Sequence, residues 1–572
     1  MSKVCRYFDI KKDASGRDVM EVYVDGIALL RLVLTNKGTA FTEEERRNLG
    51  LDGLLPPRVN DLNEQVDRVF VGYKRQPTAI DKYQFLRQLQ DRQEILYYAV
   101  VERYLTEMLP IVYTPTVGQA VREFSALYQN ARGLSLSPLN IDRAKEAFQT
   151  YPMQDVRMIV ATDSSAILGI GDQGYGGLAI PIGKLTLYTV AGGVSPFHTM
   201  PVALDVGTER QDLTDDRFYL GVRQRRLTGE AYYAFVDKFV EGVLAHCPRA
   251  VIQWEDLSKE QAHTVLERYR DRVSSFNDDI QGTGAVTLAG VLSACRMKGE
   301  RLKDQTVVIH GAGAGGIGVA WAIREGLVRD GLTDEQASER VLVLDSKGLL
   351  VHSRDMEAYK RPFAQPHERV QGWRVKGAYP SLAETVEHSR ATVLLGLSGT
   401  PGAFDEATVV AMAKNTEQPI IFPLSNPTSS SEATPADLVK WTDGQAIVAT
   451  GSPFDPVLHK GRTILTGQGN NAFIFPGLGF GATLCEASKI TDAMVLEAAY
   501  ALDRYTKEKH GDNRMCYPPV SAIQESSVRV AAAVIAQAQR DGVARKAGLP
   551  ADLESYVASR FWKPAYLPVV RG

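Results

Sequence analysis

The sequence predicts an α/β protein with a doubly wound, largely parallel sheet in one lobe, a second α/β catalytic lobe and a helical N-terminal region. Three observations predict this fold class. Short apolar runs alternate with helical patterns over roughly residues 250–430. A glycine-rich turn joins one apolar run to a helix. Apolar residues also recur at intervals of three and four over residues 81–109, as they do on one face of a helix.

The composition is that of an ordinary globular protein. Hydrophobic residues make up 44% of the 572 residues and charged residues 23%, which excludes a chain disordered over most of its length. The 65 basic and 68 acidic residues leave a net charge of −3, so nothing favours a nucleic-acid partner. Membrane spans and signal peptides need apolar runs that are missing here, and five separated cysteines without a CxxC pair are typical of reduced thiols. We expect a cytoplasmic protein without a membrane partner.

The N-terminal elements follow from local patterns. Residues 19–33 predict two short strands joined by a turn at Asp25-Gly26. The periodic segment 81–109 predicts one helix, which Pro110 should end because proline has no backbone N–H to donate. Residues 111–116 should then be extended.

The remaining elements alternate along the chain. Helices are expected to end near Met297 and Arg329, each following a predicted strand or turn. The predicted strands are 157–162, 166–170, 251–254, 307–310, 341–344, 392–397 and 420–423. We expect a mostly helical region at 1–130, a catalytic lobe at 131–277 that resumes at about 468–540, a dinucleotide-binding lobe at 278–467 and a tail at 541–572.

A glycine motif lies between a predicted strand and a predicted helix. Gly311, Gly313 and Gly316 have the spacing of the Rossmann-type dinucleotide turn. Such glycines allow a tight turn and let the backbone approach a pyrophosphate, which the helix N-terminus then binds. The alternative is a glycine-rich turn that only packs the helix on the sheet. The strand–turn–helix context favours NAD or NADP binding.

An acidic residue at the end of the following strand should meet the adenosine ribose. Asp345 is in that place, although it lies 34 residues beyond Gly311 rather than the usual distance of about 20. Ser346 and Lys347 follow it, and Lys360 comes later. A hydroxyl and a lysine suit a 2′-phosphate, whereas Asp345 would repel one, so the choice between NAD and NADP stays open.

Two acidic pairs are candidate metal ligands. Glu255-Asp256 ends one predicted strand, and Asp278-Asp279 comes just before a helix. Parallel strands deliver their carboxyl ends to one crevice, where such oxygens suit Mg²⁺ or Mn²⁺. The alternative for each pair is an exposed helix cap or a solvated loop.

Four further side chains are candidates for acid–base or binding roles. Lys184 lies in an apolar, glycine-rich segment, where partial burial makes a lysine a usable base; otherwise it is a surface lysine with a buried stem. Tyr113 follows the predicted helix end and is either an acid or an ordinary packed tyrosine. Asn426 and Asn470 carry amides that can bind a carboxylate or a carboxamide. Asparagine is also common in turns that bind no ligand.

These segments together resemble the malic enzyme family. The resemblance covers roughly residues 34–565, and its motifs occur in the order found in that family. The motifs are YTPTVG at 113–118, GDQG at 171–174, PIGKL at 181–185, WED at 254–256, FNDDIQGT at 276–283, SNPT at 425–428 and GQGNN at 467–471.

The resemblance implies oxidative decarboxylation of L-malate to pyruvate and CO₂ with NAD or NADP and a divalent cation, in a homodimer or homotetramer. It implies that Lys184 takes the proton of the C2 hydroxyl and that Tyr113 protonates the enol carbon, with Asp278 supporting Lys184. The implied metal ligands are Glu255, Asp256 and Asp279. The implied substrate ligands are Asn426 and Asn470, and Asn426 would also contact the cofactor.

One position departs from the family pattern. Malic enzymes usually carry an arginine just before Ile-Leu-Gly, where it binds a substrate carboxylate. This chain has Ala166 there. Malolactic enzymes, which convert malate to lactate and CO₂ and retain the cofactor, also lack that arginine and share stretches such as KWTDG at 440–444. The alternatives are therefore a malolactic enzyme and a dinucleotide-binding protein with impaired turnover.

Overall fold

A computed structural model describes residues 7–153, 155–511 and 514–572. The chain forms two compact units. The first comprises the residues up to Ser164 together with Asp172–Ala250 and Arg560–Gly572. The second comprises Ser165–Gly171 and Val251–Ser559.

The strands are β1 (Phe8–Lys12), β2 (Asp18–Val22), β3 (Leu134–Leu136), β4 (Met158–Thr162), β5 (Thr199–Leu204), β6 (Val251–Glu255), β7 (Ser275–Asn277), β8 (Val307–His310), β9 (Val341–Asp345), β10 (Gly348–Leu349), β11 (Val393–Gly396), β12 (Ile420–Pro423), β13 (Ile447–Thr450), β14 (Val457–His459), β15 (Arg462–Ile464), β16 (Gly467–Gln468) and β17 (Val569–Arg571).

The α-helices are α1 (Gly26–Leu29), α2 (Glu43–Asn48), α3 (Leu62–Lys74), α4 (Ala79–Gln90), α5 (Glu94–Arg103), α6 (Leu105–Val112), α7 (Thr116–Arg122), α8 (Phe124–Leu127), α9 (Ala144–Thr150), α10 (Ala179–Val190), α11 (Gln211–Asp215), α12 (Gly229–His246), α13 (Lys259–Tyr269), α14 (Thr283–Lys298), α15 (Ala314–Arg329), α16 (Asp334–Arg340), α17 (His367–Val370), α18 (Leu382–Ser389), α19 (Glu406–Asn415), α20 (Pro435–Trp441), α21 (Phe475–Leu484), α22 (Asp492–His510), α23 (Ile523–Arg540) and α24 (Leu553–Arg560).

The first unit contains parallel strands and a small terminal sheet. Strand β5 lies between β3 and β4 and runs parallel to both. Every residue of β4 and β5 is buried, as expected of strands covered on both faces. In the terminal sheet, β2 pairs with β1 antiparallel and with β17 parallel. The buried ion pair of Lys37 with Glu45 supports this sheet, because Glu45 also accepts the N–H of Val569 in β17.

The second unit is organised by a sheet with the strand order β10-β9-β8-β11-β12-β13-β16. All neighbouring strands are parallel except β10, which pairs antiparallel with β9. The chain leaves β8 for β9 on one side and later returns to β11 on the other. The order therefore reverses between β8 and β11, and ligands of such sheets bind outside the carboxyl ends of the strands at this point.

The predicted α/β class is confirmed, and several predicted elements are too. Strands β6, β8, β9, β11 and β12 and the helices α14 and α15 lie where the patterns predicted them. Four local predictions are wrong. Gly26 starts α1 instead of a hairpin turn, and β2 pairs with the upstream β1. Residues 166–170 form no strand, only a bridge between Ile167 and Gly171.

The other two errors concern the helical region. The predicted helix 81–109 is three helices, α4, α5 and α6, with breaks around Gln93 and at Tyr104, whose backbones leave the helical conformation. Pro110 lies inside α6, which ends only at Val112, so residues 111–116 are not one extended segment. The spacing of the apolar residues continues across both breaks, so the periodicity alone does not reveal them.

Two further findings concern the environment of the chain. No helix among the described residues has the length and apolar character needed to cross a membrane. Cys247, Cys295, Cys485 and Cys516 are buried free thiols, and Cys5 lies outside the described residues.

Candidate active site

The glycine turn lies at the switch point of the second unit's sheet. Gly311 follows β8 with a φ of +123°, and a Cβ there would lie 2.3 Å from the carbonyl oxygen of Leu397. Gly316 packs on the same turn, since its Cβ would lie 1.7 Å from the carbonyl oxygen of Gly311. Gly313 is the N-cap of α15, so the free N–H groups of this helix start in the turn. These positions fit a dinucleotide pyrophosphate.

Asp345 is the last residue of β9, and its carboxylate is fully engaged. It accepts hydrogen bonds from Arg354 at 2.6 and 2.7 Å, from the Lys347 N–H at 2.9 Å and from Lys360 at 3.3 Å. Burial raises the pKa of this carboxyl, but these hydrogen bonds outweigh it and hold the pKa below its usual value. Ser346 and Lys347 follow in an exposed turn.

Three predicted metal ligands come together in the second unit. Glu255 ends β6, Asp256 follows it with a φ of +56°, and Asp279 lies in the helical turn that precedes α14. One carboxylate oxygen from each lies within 4.8 Å of the others, and all three side chains are buried. The Asp256 N–H also donates to Asp279 at 2.8 Å.

The three carboxylates are suited to a divalent cation. Three buried carboxylates at this separation repel each other strongly, and a hard cation with oxygen ligands removes that repulsion. The left-handed conformation of Asp256 is unusual for a residue with a side chain, and it occurs where the carboxylate lies beside that of Glu255. The set fits Mg²⁺ or Mn²⁺.

Asp278 is buried beside this set but is not one of its members. Its carboxylate accepts a hydrogen bond from the Asn471 amide at 3.1 Å. It also packs over Gly282, whose Cβ would lie 1.9 Å from its Oδ1. Asp278 is therefore held by its own turn and by the segment that carries Asn470-Asn471.

Lys184 and Tyr113 lie together in the first unit. Lys184 is on α10 and is only 3% exposed, so it is not a surface lysine. Its Nζ lies 5.4 Å from the centre of the Tyr113 ring, and Tyr113 is buried at the C-cap of α6. Gly183 allows this approach, because a Cβ there would lie 2.9 Å from the carbonyl oxygen of Val112.

The two predicted amide ligands lie in turns of the second unit. The Oδ1 of Asn426 accepts a short hydrogen bond from the Ser452 hydroxyl. The Oδ1 of Asn470 accepts the Ala472 N–H at 2.9 Å and so caps the turn that follows. Gly169 packs on Asn426, since its Cβ would lie 2.6 Å from the Asn426 carbonyl oxygen.

Ala166 lies at the acidic set. Its N–H donates to the carbonyl oxygen of Asp256 at 2.9 Å. The position at which the sequence departs from the family pattern therefore borders the candidate metal ligands.

Sequence reasoning missed several residues around these groups. Arg354 holds Asp345, and Lys259 at the start of α13 has its Cε 3.8 Å from the position of a Cβ on Gly313. Glu432 accepts hydrogen bonds from Ser398 and Ser425, which follow the ends of two neighbouring strands. None of the three belongs to a motif, and only the sheet topology brings them to the site.

The comparison with protein-family models identifies the family. The model described as "Malic enzyme, N-terminal domain" matches residues 90–270, and "Malic enzyme, NAD binding domain" matches residues 280–539. The chain belongs to the malic enzyme family. This confirms the resemblance inferred from the motifs.

Curated malic enzymes match over nearly the whole chain. The NAD-dependent malic enzyme of Aeromonas hydrophila subsp. hydrophila is 45% identical over 543 residues, which are 95% of this chain and 96% of the relative. That of Pseudomonas syringae pv. syringae is 44% identical over 543 residues, with the same shares. Neither relative supports the malolactic alternative.

Solved malic enzymes share the fold. The Entamoeba histolytica malic enzyme is 22% identical, with a TM-score of 0.57 over 90% of each chain, which shows the fold alone. The malic enzyme from Pyrococcus horikoshii is 25% identical, with a TM-score of 0.53 over 80% of this chain and 89% of that one.

Proposed function

We propose that this chain catalyses the oxidative decarboxylation of L-malate to pyruvate and CO₂, with reduction of a nicotinamide dinucleotide. The observation that carries the proposal is the buried set of Glu255, Asp256 and Asp279, which lies in the same unit as the dinucleotide turn. Both malic enzyme family models match this chain, and its curated relatives are named NAD-dependent malic enzymes.

Separate groups of residues are proposed to bind the metal ion, the malate carboxylates and the pyrophosphate of the cofactor. Glu255, Asp256 and Asp279 would hold Mg²⁺ or Mn²⁺, which polarises the C2 oxygen of the substrate when bound. Asn426 and Asn470 would orient the malate carboxylates by donating from their amides. The N–H groups at the start of α15 would bind the pyrophosphate.

The proposed proton transfers use the pair of buried side chains in the first unit. Lys184 would take the proton of the C2 hydroxyl as C2 is oxidised, and the bound dinucleotide would supply the hydride acceptor. The C3–C4 bond then breaks and releases CO₂, and Tyr113 donates a proton to C3 to give pyruvate. The packing of Lys184 against Tyr113 supports this division, because it places a base and an acid beside each other. Asp278 would support Lys184.

The adenosine end of the cofactor is proposed to accept NADP as well as NAD. Asp345 repels a 2′-phosphate only if its charge is unbalanced, but Arg354 and Lys360 already pair with it. Its oxygens also accept four hydrogen bonds, which leaves little capacity for a ribose 2′-hydroxyl. Exposed Lys347 supplies a further positive charge in the turn.

Replacing Lys347 by alanine is expected to raise KM for NADP roughly 10-fold and to leave KM for NAD unchanged, because a hydrogen bond to a charged group contributes about 1.5–3 kcal/mol. Initial rates at saturating malate measure both constants. Lys414→Ala, which removes another exposed lysine of the same unit, is the control. Equal KM changes for the two dinucleotides would contradict the 2′-phosphate contact.

One assay tests the reaction itself. Purified protein is incubated with L-malate, Mn²⁺ and either NAD or NADP, and the reduced dinucleotide, pyruvate and lactate are measured. Pyruvate and reduced dinucleotide in equal amounts are expected. Lactate without net reduction would instead establish the malolactic reaction, whose enzymes also lack the arginine that Ala166 replaces. Dinucleotide binding without either product would establish impaired turnover.

A further inference from the structure

We propose that Glu432 is a positioning residue for the dinucleotide, because its buried carboxylate holds the loops after β11 and β12 in one arrangement. This inference rests on the proposed function, since it concerns the cofactor of that reaction. Neither the glycine motif nor the acidic set includes Glu432.

The carboxylate of Glu432 accepts hydrogen bonds from both loops. Its side chain is fully buried. Its Oε1 accepts the N–H of Ser398 at 2.8 Å, the hydroxyl of Ser398 at 2.9 Å and the hydroxyl of Ser425 at 2.6 Å. Its Oε2 lies 3.4 Å from the N–H of Ser425. The imidazole of His310, at the end of β8, is close enough to feel this charge: burial lowers its pKa, and Glu432 partly offsets that effect.

The first loop meets the dinucleotide turn directly. A Cβ on Gly311 would lie 2.3 Å from the carbonyl oxygen of Leu397 and 2.7 Å from the nitrogen of Ser398. That nitrogen is the one that donates to Glu432. The carboxylate therefore fixes the peptide on which the first glycine of the turn rests.

The second loop carries Asn426, and the same carboxylate ties it to the first loop. The Ser425 hydroxyl donates to Glu432 and accepts the N–H of Gly399 at 2.9 Å. Gly396 leaves room for this arrangement, because its Cβ would lie 2.5 Å from the Glu432 carboxyl carbon. Displacing the carboxylate would change the distance between the glycine turn and the Asn426 loop.

These contacts require a carboxylate more than they require bulk. An apolar side chain of similar size would fill the space, but it would leave the Ser398 N–H and two hydroxyls without an acceptor. Two adjacent strand ends that share one acceptor oxygen cannot move independently. Loops that are already held in place lose less entropy when the dinucleotide binds. Loosening them should therefore weaken dinucleotide affinity more than it lowers kcat.

The test is dinucleotide binding by the full-length protein without malate. Glu432→Gln keeps the shape and one acceptor oxygen, and its Kd for NADH or NADPH is expected to rise roughly 10-fold, which is about 1.4 kcal/mol. The thermal midpoint of the unliganded protein should stay close to the wild-type value, and kcat at saturating cofactor should change much less than KM. Ser398→Ala and Ser425→Ala should each raise Kd less, and neither should add fully to Glu432→Gln.

Glu497→Gln is the matched control. Glu497 is also a buried carboxylate of the second unit, but it pairs with Arg329 between α22 and α15. Its replacement should lower the thermal midpoint and leave Kd unchanged. An unchanged Kd in Glu432→Gln, or a loss of affinity only in proportion to lost stability, would overturn the positioning role.

Two further outcomes are decisive. If Glu432→Gln does not fold, Ser425→Ala decides the question, and a wild-type Kd in that variant overturns the proposal. A wild-type protein that binds neither NADH nor NADPH would instead overturn the proposed function. If only the positioning role is wrong, the wild type and the variants bind the dinucleotide equally well.

Discussion

Replacing Lys184 by alanine is expected to lower kcat for malate oxidation by roughly 10²- to 10⁴-fold, the usual contribution of a general base. The reason is the place of this side chain. It is buried on α10 against the Tyr113 ring, where no bulk water replaces it as a base. KM for the dinucleotide should change little, since the proposed pyrophosphate ligands are the N–H groups at the start of α15 and not Lys184. Initial rates with saturating Mn²⁺ measure the effect.

The controls separate lost chemistry from lost structure. Lys145→Ala removes an exposed lysine of the same unit and should leave kcat unchanged. Circular dichroism and the thermal midpoint check that Lys184→Ala is folded. A small primary amine added to the Lys184→Ala protein should restore part of the activity, because it can enter the space left by the side chain. Wild-type kcat in this variant would remove Lys184 from the mechanism.

Four strands of the dinucleotide-binding sheet, β8, β9, β11 and β12, were predictable because each carries its own local signal, whereas β10, β13 and β16 were not predicted. β8 and β12 are short apolar runs that are completely or almost completely buried, and β8 ends directly at a glycine. A short apolar run of this kind can be recognised as a buried strand from its own sequence, without knowledge of the neighbouring strands.

The breaks in the helical region were not predictable for the opposite reason. Gln93 and Tyr104 interrupt the helices with backbone conformations that no residue type there demands. Tertiary packing selects them, and the apolar residues on either side keep their spacing of three and four. The helix around Pro110 shows the same override of a local rule.

The site divides in a similar way. The convergence of the pairs Glu255-Asp256 and Asp278-Asp279 was predictable, because acidic residues at strand ends meet at one edge of a parallel sheet. Only the family resemblance selected Glu255, Asp256 and Asp279 among these four residues. Glu432 lies in an ordinary Ser-Glu-Ala segment, and its role depends on two loops that come from distant parts of the sequence. Arg354 is similar, since only the turn after β9 brings it back to Asp345. Residues that support ligands carry no motif of their own.

Replacing Asp279 by asparagine is expected to weaken Mn²⁺ binding by at least 100-fold and to lower kcat/KM at a fixed, low Mn²⁺ concentration accordingly. Replacing residues that only support a metal ligand already weakens affinity by about 10- to 100-fold, and Asp279 is a proposed ligand itself. Asparagine keeps an oxygen for the Asp256 N–H, so the local fold has its acceptor. Isothermal titration with Mn²⁺ measures the affinity. Asp271→Asn removes an exposed carboxylate that pairs with Lys489 and should leave it unchanged.

The metal-free protein provides the sharper test. Three buried carboxylates within 4.8 Å repel each other when no cation is bound, so removing one charge relieves the folded state. With EDTA present, Asp279→Asn should therefore have a thermal midpoint at or above that of the wild type, whereas Mn²⁺ should stabilise only the wild type strongly. A variant that is less stable than the wild type in EDTA, yet binds Mn²⁺ equally well, would mean that the acidic set holds the fold together and is not a metal site.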